Sequence, residues 1–448
     1  MASKLYTSEE INLVFNSNIN KKLFFNKVAI DSREVSNRGI FFAIKGVNDD
    51  GHRYVKTVLK KKNNLAVIST KSNNLRSIRT KNTLESLINL ASYARQRSKA
   101  KIIAVTGSCG KTSLKNLLKS SLSRFGKTHS SPKSFNNHFG VPYSLANLSS
   151  DNKYGVFELG MSFKGEIDKL VNVVRPHIAI ITNIGPAHLE NFNNIDGICK
   201  AKAEIMNRIC QNGIIILNKD DKFFNSLKKI ANQKNIKIIT FGFLKSDIQI
   251  IKSSAKVSFK IKNKIFNFKI NNLNKSYLYN VAATLCVHYY LNHNINLLKN
   301  KFNNFKIPEG RGNEKNIRIK NKRILLVNDS YNSNPASLEQ SIFNFSLRKK
   351  KGYRKILIMG DMLELGKKSK YYHQQVAKIL NKTNIDKVFC IGSEVRYTYQ
   401  KLNHSKKGLL IKNISLLKQN LFKLIENNDI LLVKSSNRIG LFNFFKKF

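Results

Sequence analysis

Runs of apolar residues, each about as long as a β-strand, recur along the chain with helix-like segments between them. Continuous apolar runs flanked by helical patterns are typical of parallel strands that are covered on both faces. The pattern therefore predicts an α/β fold with mostly parallel sheets. The runs are KIIAVTG (101–107), YGVFELG (154–160), HIAIITN (177–183), GIIILN (213–218), RILLVND (323–329), KILIMGD (355–361), KVFCIG (387–392) and DILLVKS (429–435).

Residues 248–270 follow a different pattern, in which apolar and polar positions alternate. A period of two residues is typical of a strand with one buried face. We therefore predict a small antiparallel hairpin, inserted into or appended to the α/β core. The alternating apolar positions are Val257, Phe259 and Ile261, followed by Phe266, Phe268 and Ile270.

Two polar segments divide the chain. The stretch ARQRSKAK (94–101) precedes the first strong buried strand, and IPEGRGNEK (307–315) holds a proline and two glycines before a second series of strands. Clusters of this kind separate folded units. A chain of 448 residues has room for roughly two to four domains. We predict three, the first of them a small α/β domain, with the boundaries 1–97, 98–311 and 312–448.

Composition fits a folded protein that does not span a membrane. Hydrophobic residues make up 42% and charged residues 24%, which excludes global disorder. No apolar run reaches the roughly 18 residues that cross a bilayer, and the start, MASKLYTSEE, lacks the apolar core of a signal peptide. We therefore expect a soluble, cytoplasmic protein. The five cysteines form no CxxC pair, which argues against a disulfide framework or a zinc knuckle.

The formal net charge is unusually high. Lys and Arg number 79 against 27 Asp and Glu, which gives +52. A nucleic-acid binder needs such charge to neutralise phosphates. The basic residues are spread over every segment, however, alongside abundant asparagine and isoleucine. This distribution favours a drift towards AT-rich codons, which places lysines on solvent-exposed faces. In either case the charge would attract an anionic substrate.

The segment AVTGSCGKTSLKNLLKSSL (104–122) carries the most specific local motif. A buried strand ends in a turn with two glycines (107–110), and an amphipathic helix follows. Glycines let backbone N–H groups approach phosphate oxygens, and a helix start adds positive potential. Lys111 can reach the β- and γ-phosphates, and the Thr112 hydroxyl can bind Mg²⁺. The loop is a GxxGKT variant, because the longer GxxxxGK[ST] pattern needs glycine where this chain has Val105.

Three residues downstream are candidate metal ligands. Glu158 ends one buried run and His188 follows the next, so both lie where the carboxyl ends of neighbouring strands meet. Each also fits a structural role, Glu158 as an ion-pair partner and His188 as a hydrogen-bonded histidine. Lys202 stands among many lysines, and its local sequence does not distinguish it from a solvated side chain.

Six motifs, in chain order and spread over nearly the whole chain, resemble those of the Mur ligases. Two further segments, DSRE (31–34) and GIFFAIKG (39–46), resemble the uridine-nucleotide domain of that family. Six motifs in order are far more specific than any one of them. The motifs are GSCGKT (107–112), NNHFGVP (136–142), ELGMSFKGEI (158–167), NIGPAHLE with KAKAE (183–190, 200–204), DSYNSNP (329–335) and MGDMLELG (359–366).

The resemblance implies an ATP-dependent amide ligase. ELG…GEI and the last two motifs are most similar to the branch that joins D-Ala-D-Ala to UDP-MurNAc-tripeptide. In that family a first domain holds the UDP-sugar peptide, a central domain binds ATP, and a Rossmann-like C-terminal domain closes over ATP and the incoming amine. The peptide carboxylate becomes an acyl phosphate, which the amine then attacks. A carboxylate requires such activation, because its oxygen is a poor leaving group.

By resemblance, the residues of this chain at the positions that match the family's motifs are assigned the roles of the family's functional residues. The family also implies a monomer with two Mg²⁺ ions and a Lys202 that has captured CO₂ as a carbamate; Lys200 is the neighbouring competitor. The implied catalytic residues are Lys111, Glu158, His188 and Lys202, and the metal ligands are Thr112, Glu158, His188 and Lys202. The implied ATP-binding residues are Thr106, Gly107, Ser108, Cys109, Gly110, Lys111, Thr112, Asn280, Arg311 and Asp329. The implied substrate-binding residues are Ser32, Arg33, Asn136, Asn137, Asn332 and Asn334, and His373 is a further candidate for the site.

The chain departs from the family pattern at three places. One is the adenine loop KSYLYN (275–280), which lacks the glycine and histidine that usually precede the asparagine. Ser162-Phe163 stands where Asn-His is usual, and KSSNR (434–438) keeps Lys434 but shifts or loses the arginine that usually follows. Two other functions remain open: another Mur-type or folylpolyglutamate-type ligase, and a P-loop NTPase that binds nucleic acid. The motifs DSYNSNP and MGDMLELG argue against the first alternative. The second is supported only by the net charge of +52. We therefore expect no specific nucleic-acid partner.

Overall fold

The computed structural model describes residues 4–19, 22–253, 256–303, 305–348 and 352–448. Three sheets of α/β type follow one another along the chain, and a short antiparallel pair of strands with a helix between them precedes the first sheet. None of the helices in these ranges is long and apolar enough to cross a bilayer.

The first sheet has four parallel strands in the order β3-β4-β5-β6, as the elements below define them. The elements of this part of the chain, in which β1 and β2 form the separate two-stranded sheet, are β1 (Tyr6–Thr7), α1 (Ser8–Phe15), β2 (Phe24–Phe25), β3 (Lys27–Ala29), β4 (Gly39–Phe42), α2 (Val55–Leu59), β5 (Leu65–Ile68), β6 (Ser77–Arg79) and α3 (Thr83–Arg97).

The second sheet has nine strands and contains the glycine-rich turn. Its elements are β7 (Lys101–Thr106), α4 (Lys111–Leu122), β8 (Thr128–Ser130), α5 (Gly140–Ala146), β9 (Tyr154–Glu158), α6 (Glu166–Val174), β10 (Ile178–Ile181), α7 (Ile195–Ala203), β11 (Ile214–Asn218), α8 (Phe224–Gln233), β12 (Lys237–Gly242), β13 (Ile248–Lys252), β14 (Val257–Ile261), β15 (Lys264–Asn267) and α9 (Lys275–Tyr290).

Strand order in this sheet is β15-β14-β13-β12-β11-β10-β7-β9-β8. The pairs from β8 to β13 are parallel, and the last two pairs, β13–β14 and β14–β15, are antiparallel. Along β7, Ile102 and Ala104 contact one hydrophobic cluster while Ile103 and Val105 contact another. Both faces of the strand are therefore buried, which is why its apolar run is unbroken.

The third sheet has six strands in the order β16-β17-β21-β18-β19-β20, parallel except for β16 with β17. Its elements are β16 (Asn313–Ile319), β17 (Lys322–Asn328), α10 (Pro335–Ser346), β18 (Lys355–Gly360), α11 (Ser369–Asn381), β19 (Lys387–Ile391), α12 (Arg396–Lys401), β20 (Lys407–Ile411), α13 (Ile414–Leu424), β21 (Ile430–Lys434) and α14 (Leu441–Phe445).

The sheets confirm the predicted α/β fold and the strand in each apolar run. The predicted antiparallel segment is also present, but its second strand ends at Asn267. Phe268 lies beyond that strand, where its ring packs edge-on against Phe259 and Phe302. The apolar residue at position 268 therefore reflects packing between aromatic rings and not the pairing of a strand. The boundaries near 97/98 and 311/312 stay a prediction.

Each large sheet with its helices is called a unit below. The first and second units are joined by packing of helices and by hydrogen bonds of Asn147, which we call the polar clasp. Helix α3 packs along α5, and the Tyr6 hydroxyl donates to the carbonyl of Ala146 at 2.6 Å. Just after α5, the Asn147 side chain accepts from the backbone N–H of Val28 and donates to its carbonyl, both at 3.0 Å. One amide thus completes the backbone bonding of a strand in the neighbouring unit.

We expect Asn147→Ala to lower the free energy of unfolding by about 1–3 kcal/mol, because it leaves the Val28 backbone groups without partners. Urea titration measures this change. Asn48→Ala, at an exposed asparagine, is the control and should unfold like the wild type. A loss of equal size in both variants would contradict a specific role for the clasp.

Candidate active site

The glycine-rich turn joins the end of β7 to the start of α4. Gly107 has φ 146° and Gly110 has φ 83°, conformations that residues with side chains rarely adopt. Gly110 is also the N-cap of α4, and no side chain caps the helix there. The first N–H groups of the helix are therefore open to an anionic ligand.

The turn is packed closely against the loop that follows β10. A Cβ added at Gly107 would lie 1.9 Å from Oγ1 of Thr182. That hydroxyl donates to the carbonyl of Cys109 at 2.6 Å. The Cys109 N–H donates to Oδ1 of Asn183 at 3.0 Å, and the Ser108 N–H to the Asn183 carbonyl at 3.0 Å. The neighbouring loop therefore fixes the shape of the turn.

We expect Gly107→Ala to weaken ADP binding by at least about tenfold, or 1.4 kcal/mol, because the methyl group would displace Thr182 and open the turn. Calorimetric titration with ADP measures this effect. Gly165→Ala is a matched control, since Gly165 also has positive φ but no atom within 4 Å of the added carbon. Wild-type ADP affinity in the Gly107 variant would contradict the expectation.

Lys111 lies at the start of α4 with its ammonium folded back over the turn. Its Nζ donates to the carbonyl of Gly107 at 2.7 Å. Burial lowers the pKa of Lys111, and the charge of Glu158 opposes that shift. The ammonium is therefore held beside the turn, where a phosphate would replace the carbonyl as its partner.

Glu158, at the end of β9, is buried beside Thr112. The Thr112 hydroxyl donates to Oε2 of Glu158 at 2.8 Å, and Nδ2 of Asn136 donates to Oε1 at 2.8 Å. The hydroxyl of Ser134 lies 3.2 Å from that of Thr112. A hydroxyl and a carboxylate that share one face of a cavity, next to a phosphate-binding turn, are ligands suited to Mg²⁺.

A second buried lysine, which sequence reasoning missed, lies behind Glu158. Lys115 on α4 is buried, and its Nζ is 3.9 Å from Oε2 of Glu158. Burial lowers the pKa of Lys115 to about 8. Its position, four residues after Lys111 on the same helix, is the only sequence signal that points to this contact.

His188 contacts the third unit. Its Nδ1 lies 2.6 Å from Oε2 of Glu364, and this proximity is the main cause that lowers the pKa of Glu364. The Glu364 carbonyl also accepts from the N–H of Glu190 at 3.1 Å. The second and third units are thus joined at a predicted metal ligand.

Lys202, on α7, is almost fully buried, with 1% exposure. Burial, with a smaller contribution from the like charge of Lys111, lowers its pKa well below the ordinary 10.5. Two buried lysines therefore lie near each other. A negative group on Lys202 would relieve this repulsion, which makes the site compatible with the implied carbamate.

Arg311 and Asp329 approach from the side of the third unit. Nη2 of Arg311 donates to the Ser134 hydroxyl at 3.2 Å, and its guanidinium lies over the Tyr331 ring at 4.4 Å. Asp329 is held by Lys434, whose Nζ is 2.9 Å from Oδ2 of the carboxylate. Lys434, the lysine of the divergent KSSNR segment, is therefore in contact with the site.

Three further predicted asparagines have different positions in the site. Asn334 caps α10, accepting from the Ser337 N–H at 2.9 Å, and its amide lies 3.3 Å from Sγ of Cys109. Oδ1 of Asn332 accepts from the neighbouring Ser333 N–H at 2.9 Å. Asn280, on α9, lies against Gly110, 3.4 Å from the position of an added Cβ.

One cavity of about 1030 Å³ runs between the second and third units and brings most of these side chains together. Five predicted site residues do not line it: Thr106 ends β7 and Gly107 begins the turn, Lys202 is enclosed, and Ser32 and Arg33 lie outside. Arg33 forms an exposed ion pair with Asp31. The predicted residues that line the cavity are Ser108, Cys109, Gly110, Lys111, Thr112, Asn136, Asn137, Glu158, His188, Asn280, Arg311, Asp329, Asn332 and Asn334.

The hypothesis that His373 faces the site is wrong. Its ring is fully buried; Nε2 accepts from the Met362 N–H at 3.2 Å and Nδ1 lies 2.9 Å from the Ser369 carbonyl. The histidine therefore ties a loop to α11. The apolar and polar pattern around it is the same for either role, so the sequence could not distinguish them.

Within the described ranges, no group of three or more His, Cys, Asp or Glu side chains could hold a metal ion by itself. The donor set around Thr112 and Glu158 is instead that of a nucleotide site, in which Mg²⁺ takes one or two protein ligands and completes its shell with phosphate oxygens and water. The residues present fit a metal that arrives with a nucleotide.

Two family models match the chain. The one described as Mur ligase middle domain matches residues 105–288, and the one described as Mur ligase, glutamate ligase domain matches residues 316–437. The two regions contain the turn, the cavity-lining strand ends and most of the third sheet.

Relatives and solved structures match over almost the whole chain. The UDP-N-acetylmuramoyl-tripeptide–D-alanyl-D-alanine ligase of Rickettsia prowazekii is 30% identical over 98% of each chain. A crystal structure of MurF from Acinetobacter baumannii has a TM-score of 0.85 at 25% identity, covering 99% of this chain and 98% of that one. MurF ligase from Thermotoga maritima, solved in complex with ADP, has a TM-score of 0.79 at 25% identity, covering 94% and 96%.

Proposed function

The chain belongs to the Mur ligase family, and from this premise we propose that it joins D-Ala-D-Ala to UDP-MurNAc-tripeptide with consumption of ATP. The observation that carries the proposal is the cavity of about 1030 Å³ between the second and third units. The phosphate-binding turn, a buried carboxylate and side chains from the third unit all line it. Nucleotide, acid and amine can therefore meet in one place.

ATP would bind with its phosphates over the turn. The N–H groups that begin α4 and the Lys111 ammonium supply positive potential there. Asn280 lies beside the turn on α9 and suits the nucleoside end, while Arg311 and Asp329 approach from the opposite wall. These are the roles that the family resemblance implies, and the solved relative from Thermotoga maritima holds ADP.

The first step would transfer the γ-phosphoryl group to the peptide carboxylate. A carboxylate oxygen attacks the γ-phosphorus, the bond to the β-phosphate oxygen breaks, and ADP leaves. Two anions must approach each other for this, so the positive charge of Lys111 lowers the barrier by offsetting their repulsion. Thr112 and Glu158 would hold one Mg²⁺, and His188 with a carbamylated Lys202 would help to hold another. These ions supply further neutralisation of phosphate charge.

The second step would form the amide bond. The amine of D-Ala-D-Ala attacks the carbonyl carbon of the acyl phosphate, inorganic phosphate leaves, and the amine gives up a proton. Asn332 and Asn334 lie on the third-unit wall, within the turn that precedes α10. That position suits the dipeptide, and Asn136 and Asn137 on the facing loop suit the acid substrate.

The proposal includes the organisation predicted from the sequence. Residues 1–97 would bind the uridine end, with Ser32 and Arg33 near it, residues 98–311 the ATP, and residues 312–448 the amine. We propose that the protein acts as a cytoplasmic monomer. Its anionic substrates would be attracted by the net charge of +52.

A phosphate-release assay tests the function. With Mg²⁺, bicarbonate and ATP, we expect phosphate release only when UDP-MurNAc-tripeptide and D-Ala-D-Ala are both present, together with a product that mass spectrometry identifies as the pentapeptide. Single amino acids or a folate in place of these substrates are the controls. Release that depends on a single amino acid would assign another ligase activity, and no release in any mixture would refute the proposal.

A further inference from the structure

Lys115 is buried directly behind the Thr112–Glu158 pair and does not line the cavity, whereas Thr112 and Glu158 do. Its side chain and that of Glu158 are each 1% exposed, with Nζ 3.9 Å from Oε2. The ammonium therefore approaches the carboxylate from the protein side and leaves the cavity side to a ligand. A lysine is rarely buried so deeply without a specific partner.

The same ammonium also ties down the loop between β8 and α5. Nζ of Lys115 donates to the carbonyl of Ser131 at 2.7 Å and to the carbonyl of Lys133. This loop, residues 131–137, carries Ser134 and Asn136. One side chain on α4 thus connects the helix that begins at the phosphate-binding turn to the loop that surrounds the metal-binding carboxylate.

That loop supplies the remaining contacts of the pair. Asn136 donates to Oε1 of Glu158 at 2.8 Å, and the Ser134 hydroxyl lies 3.2 Å from that of Thr112. If the loop moved, Glu158 would lose a hydrogen-bond donor and Thr112 a neighbour. The carboxylate and the hydroxyl would then no longer be held together on one face of the cavity, as a shared metal ion requires.

We propose that Lys115 is a positioning residue for the metal site: its ammonium holds Glu158 and loop 131–137 in the arrangement that a nucleotide-bound Mg²⁺ ion requires. The inference rests on the proposed function, because it assumes that the turn binds a nucleotide. Lys115 does not touch the nucleotide; it acts through Glu158 and the loop.

The test compares ADP binding with and without Mg²⁺ by calorimetry, which needs no turnover. The measured quantity is the factor by which Mg²⁺ strengthens ADP binding. In Lys115→Met we expect this factor to fall by about 10- to 100-fold, which is the usual loss of metal affinity when a residue that supports a metal ligand is replaced. The metal-free affinity for ADP should stay within about threefold of wild type, which is under 0.7 kcal/mol, because the turn itself is intact.

Three further variants separate positioning from a general loss of structure. Lys115→Arg keeps the charge and should restore most of the factor. Lys119→Met, at an exposed lysine one turn further along α4, should match the wild type. Combined with Glu158→Gln, Lys115→Met should have a smaller effect on the factor than it has alone, because the contact through Glu158 is already lost. If Lys115→Met does not fold, Lys115→Gln replaces it, with the same loss expected.

Opposite outcomes would overturn the inference. An unchanged factor in a folded Lys115 variant would assign the lysine to stability alone. A larger factor would mean that the ammonium only repels the metal. An undiminished loss in the Glu158→Gln background would mean that Lys115 acts independently of Glu158. If the wild type bound no ADP under any condition, the proposed function would fail first, and that result is distinguishable from all of these.

Discussion

Lys111→Met is expected to reduce kcat/KM for ATP by roughly 10³-fold, the loss that follows removal of a preorganised charge from a reacting group. Nζ of Lys111 is held 2.7 Å from the Gly107 carbonyl, directly over the turn. Methionine keeps the length of the side chain but removes both the donor and the charge. Phosphate release at varied ATP concentrations measures the change.

The Lys119→Met protein is the matched control, since it alters an exposed lysine on the same helix and should keep wild-type activity. Thermal unfolding should be affected little in either variant. Activity of Lys111→Met within threefold of wild type (about 0.7 kcal/mol) would contradict the assignment of Lys111 to the phosphates, and with it the proposed position of ATP.

Lys202→Ala is expected to reduce the rate of ligation by roughly 10²- to 10³-fold, because it would remove a carboxylate-like ligand and its charge from the site. Only a neutral amine captures CO₂, and burial lowers the pKa of Lys202 in the required direction. The rate should recover in part when formate or acetate occupies the space left by the side chain.

Two measurements accompany this variant. In ¹³C-labelled bicarbonate, the wild type should show a carbamate carbon signal by NMR that Lys202→Ala lacks. Lys200→Ala, at the exposed neighbouring lysine, is the control and should keep both the signal and the activity. A fully active Lys202→Ala protein, or the same carbamate signal in that variant, would rule out the assignment.

The strands and the turn could be predicted because their signals are local. β7 is apolar at every position between Lys101 and Thr106 as a consequence of burial on both faces, and the two glycines are required by positive φ. β16 was missed for the complementary reason. It is an edge strand with exposed polar positions, so its pattern lacks the continuous apolar run on which the prediction depended.

The contacts of the site could not be predicted in the same way, because they join residues that are distant in the chain. Lys115 is one of 79 Lys and Arg residues, and only the folded loop 131–137 distinguishes it from a solvated lysine. The pairing of His188 with Glu364 depends on the relative position of two units. Ser32 and Arg33 rest on resemblance alone, and the cavity does not reach them.

The contact between His188 and Glu364 has a consequence for inhibitors. A ligand that binds His188 must first break the contact between His188 and Glu364. The free energy needed to break that contact lowers the apparent affinity of the ligand. A compound that instead fills the space beside Asn280 and Arg311 and leaves the histidine–glutamate pair intact would avoid this loss. Such a compound would stabilise the arrangement in which this pair joins the second and third units, and would block entry of ATP without imitating the triphosphate.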